Sequence, residues 1–65
     1  MTSRAELSSL SSALAEVARR ITEQAEAAQH AADEDTAHEL FAVERALTGA
    51  GRRLQRLLTS TTGTR

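Results

Sequence analysis

Large apolar residues fall at Leu7, Leu10, Leu14, Val17 and Ile21, alternately three and four residues apart. A helix turns about 100° per residue, so this alternation keeps all five on one stripe. The stripe runs on more weakly through Gln24, Ala28 and Ala31. Ser3 stands three residues before Glu6, the spacing at which a serine hydroxyl and a glutamate cap each other's backbone N–H groups. The pattern predicts helix 1 over about 4–32.

A second stripe starts at Leu40 and continues through Val43, Leu47, Ala50, Leu54 and Leu57, with Phe41 and Leu58 widening its apolar face. It is out of phase with the first. A seven-residue count from Leu7 reaches 35 and 42, whereas the second stripe sits at 40 and 47, so one continuous helix would not present both to one seam. The slip falls in "HAADEDTAHELF" (30–41). Three consecutive acids there are unfavourable at the negative C-terminal end of a helix and favourable at the positive N-terminal end of the next. Thr36 with Glu39 repeats the capping-box spacing. The sequence therefore predicts a turn at about 33–36, helix 2 over about 36–58, and a frayed β-branched tail at 59–65.

The expected fold is all-α: an antiparallel two-helix hairpin, one domain over 1–65. Folding near residue 34 would set Leu14 opposite Leu54, Ile21 opposite Leu47 and Ala28 opposite Leu40. It would place Gly49–Ala50–Gly51 against Val17 and Ala18, and bring Glu16 near Arg52 and Glu23 near Arg45. The seam is expected to comprise Leu7, Leu10, Leu14, Val17 and Ile21 with Leu40, Phe41, Val43, Leu47, Leu54, Leu57 and Leu58. Two helices cannot enclose such a seam. Half burial of these side chains does not offset the ordering entropy of a chain this size, which predicts dimerisation into a four-helix bundle.

Composition supports this picture. The 65 residues include no cysteine, proline, tryptophan or tyrosine, and Phe41 is the one aromatic. A chain this small without disulfides depends on a partner for much of its core. The net charge is −1, but residues 1–35 carry three arginines against seven acids, and residues 36–65 five arginines against two. The halves are thus oppositely charged, −4 and +3. No leader-like apolar run and no stretch of membrane-spanning length is present, which makes a cytoplasmic protein the expectation.

Candidate chemistry is sparse. His30, Glu34 and His38 would share a face, and form a plausible metal set, only if the helix ran unbroken through them. In a hairpin they are turn residues, and no metal or other cofactor is expected. "AHEL" at 37–40 resembles the H-box of histidine-kinase dimerisation domains, themselves hairpins that pair into four-helix bundles. That family's proline is replaced by Ala42, Val43 and Glu44, and His38 opens the second helix rather than lying on the first, so no phosphoacceptor role is expected. The hairpin length is similar to that of the secreted WXG-type proteins, but the Trp-x-Gly turn is absent.

Arg52, Arg53 and Arg56 beside a leucine stripe form a small basic face, able in principle to contact nucleic acid or a partner. No phosphate loop, nucleophile elbow or acid–base pair can be assembled. The expectation is a non-enzymatic protein–protein interaction module that associates with itself and acts as adaptor or regulator, with another helical protein as a further candidate partner. The alternatives are a small nucleic-acid-associated dimer and, behind it, a metal-binding helical protein.

Overall fold

The computed structural model describes residues 2–63, with side chains through Ser60, as two helices: α1 (Arg4–His30) and α2 (Glu34–Gly63). They lie antiparallel as a hairpin measuring 51 × 16 × 14 Å. Among the described residues there is no strand, so the all-α hairpin inferred from the phase slip is the fold.

Helix α1 starts where its cap dictates. Ser3 is extended (φ −107°, ψ 126°), and its hydroxyl accepts the Glu6 backbone N–H at 3.1 Å. The serine half of the expected box is thereby made, with Glu6 placed in the first turn, where the helix dipole favours an acid.

The turn is shorter and earlier than expected, and it is closed without glycine. Ala32 takes the left-handed conformation at φ 61°. The Ala32 N–H donates to the Gln29 carbonyl at 3.0 Å, and the Asp33 N–H reaches back to the Ala28 carbonyl at 2.9 Å. This pair of bonds is a Schellman closure, which satisfies carbonyls left open at the helix end. An alanine occupies the position that usually takes glycine, at a cost of roughly 1–2 kcal/mol.

Asp33 then begins the second helix. Its carboxylate accepts the Thr36 N–H at 3.3 Å, and its carbonyl accepts the Ala37 N–H at 3.0 Å. The expected cap at Thr36 is therefore corrected. Thr36 lies inside the first turn of α2, because Asp33 sits next to the Schellman closure and reaches the free N–H groups first. The hairpin folds about Ala32 rather than residue 34, so the expected facing pairs shift by several positions.

At its far end α2 passes residue 58 and continues to Gly63. The segment 59–63 of the expected tail is helical, while residues 64 and 65 lie outside the described residues. The Thr59 hydroxyl donates to the Gln55 carbonyl one turn back at 2.9 Å, a bond that fits a β-branched residue into helix.

The seam also departs from expectation. A heptad line of buried and half-buried residues runs inward through Leu7, Ser11, Leu14, Ala18, Ile21, Ala25 and Ala28 on α1 and Ala37, Phe41, Glu44, Leu47, Gly51, Leu54 and Leu58 on α2, with Thr22, Leu40, Ala42, Thr48 and Gly49 half-buried beside it. Every second expected α1 residue is kept (Leu7, Leu14, Ile21). Between them Ser11, Ala18 and Ala25 replace Leu10, Val17 and Gln24. Small residues at alternate levels let two helices approach closely, which a leucine or valine at each level would prevent. Ala25 is completely buried and Ala37 is 3% exposed, and among the described residues no large side chain is fully buried.

The expected packing of large against small at Gly49 and Gly51 is not present. A Cβ added at either glycine would meet nothing within 4 Å.

Candidate functional site

Large side chains displaced from the seam collect on one side of the hairpin. Leu10, Val17, Val43 and Leu57 are 48%, 45%, 43% and 49% exposed. Each stands one residue before an inward position: Leu10 before Ser11, Val17 before Ala18, Val43 before Glu44, Leu57 before Leu58. Two antiparallel helices are related by a two-fold axis perpendicular to the plane that contains them. That operation keeps both flanks of one broad side together, so residues that precede an inward position share a side in both helices.

The opposite side tests this geometry. An open groove there, of about 680 Å³, is lined from α1 by Ser12, Ala15, Arg19 and Thr22 and from α2 by Thr48, Arg52 and Gln55. Each of these follows an inward position, and the inward residues Ser11, Leu14, Ala18, Glu44, Leu47 and Gly51 form the rest of the lining together with Ser8. The hairpin thus has a polar side and an apolar side. On the polar side the Thr48 hydroxyl donates to Glu44 at 2.8 Å, and the Thr22 hydroxyl to the Ala18 carbonyl at 3.2 Å.

The expected seam residues accordingly divide. Leu7, Leu14, Ile21, Leu40, Phe41, Leu47, Leu54 and Leu58 are half-buried or buried, whereas Leu10, Val17, Val43 and Leu57 form the exposed stripe. The sequence did contain the signal for this split: small residues recur every seven positions at Ser11, Ala18 and Ala25, one place after the larger ones.

Among the described residues the ion pairs run along α1 rather than across the hairpin. Arg19 donates to Glu16 at 2.6 Å and also pairs with Glu23, both within α1. The expected cross-pairs Glu16–Arg52 and Glu23–Arg45 are thereby replaced, since Arg19 is one turn from both glutamates and Arg52 and Arg45 sit on the other helix. The Arg19 guanidinium holds the Glu16 carboxyl below its ordinary value, first by hydrogen bonding and then by charge. The carboxylates in turn raise the Arg19 pKa.

Arg52, Arg53 and Arg56 are exposed and make no ion pair among the described residues. Arg4 serves the fold, its guanidinium donating to the Leu58 carbonyl at 2.8 Å and tying the two chain ends together.

Folding at Ala32 also sorts charge along the long axis. Residues 21–44, which make up the turn end, contain Glu23, Glu26, Asp33, Glu34, Asp35, Glu39 and Glu44 and no arginine or lysine. All eight basic residues lie outside that stretch. The opposition of charge read along the sequence is therefore chiefly one between the two ends of the hairpin.

His30 closes α1, Glu34 opens α2 and His38 lies in its second turn, all three exposed. The turn removes the shared face on which a metal set depended, and among the described residues no group of three His, Cys, Asp or Glu side chains is arranged to hold a metal. Nor, among those residues, is any helix long and apolar enough to cross a membrane. Comparison with protein families, with curated proteins and with solved structures finds no match.

Proposed function

We propose that this hairpin is a non-enzymatic interaction module that associates with itself through its apolar side, as an adaptor or regulator. The observation that carries this reading is the exposed stripe of Leu10, Val17, Val43 and Leu57 on a fold in which, among the described residues, no large side chain is fully buried. The accessible surface is 4883 Å². A compact monomer of 7.0 kDa exposes about 4000 Å², so the elongated hairpin leaves more surface open than a compact chain of its size. A second copy supplies a surface of matching character.

Sedimentation equilibrium at micromolar concentration tests this, with twice the chain mass expected. A well-folded single chain of 7.0 kDa would overturn it. Val17→Glu, which charges the stripe without entering the seam, is expected to abolish the dimer and to lower helicity and melting temperature with it.

A second reading has a specific observation in its favour. Because Glu16 is engaged by Arg19, Arg52 is not neutralised across the hairpin, and with Arg53 and Arg56 it leaves a basic patch for nucleic acid. Binding to duplex DNA at low salt that is lost in the triple Arg→Ala variant would support it. Equal behaviour of the two proteins excludes it.

A further inference from the structure

We infer that the second copy docks antiparallel on the apolar side, with the turn of each hairpin beside the chain ends of the other. This rests on the self-association reading and adds to it an orientation. Two closed arrangements can bring apolar side to apolar side: a two-fold axis along the helices gives a parallel dimer, and one across them an antiparallel dimer.

Charge selects between these two. The turn end carries seven acids and no basic residue over 21–44, while Arg52, Arg53 and Arg56 lie toward the other end. A parallel dimer sets the two acidic ends side by side and the two basic regions side by side. The antiparallel dimer sets each acidic end beside a basic one. Unlike charges close together at the rim attract, and like charges cost energy at every overlap. The exposed stripe of Leu10, Val17, Val43 and Leu57 meets its counterpart in either arrangement, so the distribution of charge is what separates the two.

The chain contains no cysteine, so a single spin label can be placed at Ala31→Cys, an exposed, uncharged position on the turn. Dipolar spectroscopy then reads the turn-to-turn distance within the dimer. With a hairpin 51 Å long, the antiparallel dimer is expected to give about 40 Å, from the 1.5 Å rise per residue on either side of the centre. A parallel dimer gives less than about 25 Å, set by helix spacing and label length, and that result overturns the orientation while leaving self-association intact. A dimer mass lost from the unlabelled protein, together with no dipolar coupling, overturns the self-association reading itself.

Salt supplies an independent readout. Raising salt from about 20 to about 500 mM shortens the range of these charges to a few ångströms and is expected to raise the dimer Kd several-fold. A dimer that tightens with salt contradicts the antiparallel assignment.

Discussion

The carboxylate of Asp33 accepts the backbone N–H of Thr36 at 3.3 Å, while the Asp33 N–H closes α1 on the Ala28 carbonyl. One residue therefore ends one helix and starts the next, which is why three residues suffice for the turn. Only the carboxylate bond is lost on substitution by alanine. Asp33→Ala is expected to cost about 0.5–2 kcal/mol, the usual value of an N-cap, and Thr36→Ala much less, because its hydroxyl does not cap the helix. Urea denaturation of the two variants side by side checks this, and a larger loss in Thr36→Ala would return the cap to Thr36.

Backbone conformation predicts a reciprocal pair of exchanges. Ala32 occupies φ 61°, where glycine is at no steric disadvantage. Gly49 and Gly51 have no positive φ, lie inside α2, and have open space where a Cβ would be. Ala32→Gly is expected to stabilise the hairpin by up to about 1 kcal/mol, and Gly49→Ala and Gly51→Ala by about 0.4–1 kcal/mol each. Thermal melts over a range of protein concentrations separate these gains from any effect on association. A loss of stability in Gly51→Ala would mean that another backbone approaches α2 there.

Much of the fold was legible because the phase slip between two stripes coincides with an acidic, cap-rich stretch, and a turn accounts for both where a bent continuous helix accounts for the slip alone. The position of the turn was less so. Both Asp33 and Thr36 have side chains suited to capping, and the left-handed residue that decides between them is an alanine, which carries no turn signal. The seam was half legible. Leu7, Leu14 and Ile21 belong to two overlapping heptad readings, one completed by Leu10 and Val17 and the other by Ser11 and Ala18. Hydrophobicity favours the first, but close approach of two helices favours the second. The apolar side that carries the proposed function is what remains when the second reading is used within the chain.

The Glu16–Arg19 pair sets a pH dependence whose sign follows from its direction. Arg19 lowers the Glu16 pKa from its ordinary value of 4.5. A carboxyl depressed in the folded state binds protons more readily when unfolded, so the pair's contribution is present above about pH 4.5 and is lost as pH falls through the folded value. Glu16→Gln is therefore expected to melt slightly below the wild type at neutral pH and to converge with it in acid below that range. Both side chains are more than half exposed, which keeps the difference small and makes it shrink with added salt. Melting curves at pH 7 and pH 3 read the convergence directly, and a gap that widens in acid would contradict the pairing.

Gln24 and Ala25 are adjacent, yet the hairpin assigns them opposite roles. Ala25 is completely buried between the helices, and Gln24 is exposed in line with Leu10 and Val17. Ala25→Leu forces extra methylenes into a contact made close by small side chains, with an expected loss of about 1–3 kcal/mol. Gln24→Leu instead extends the apolar stripe by one level. Its effect on the stability of the single hairpin is expected to stay within about 0.5 kcal/mol, while its burial on association strengthens the dimer. Measuring both variants by denaturation and by sedimentation distinguishes the two heptad readings. If Leu10, Val17 and Gln24 formed the internal seam, Gln24→Leu would stabilise the monomer and Ala25→Leu would be neutral. Destabilisation confined to Ala25→Leu, with tighter association confined to Gln24→Leu, is the outcome required by a hairpin that keeps its small residues inside and turns its large ones toward a second copy.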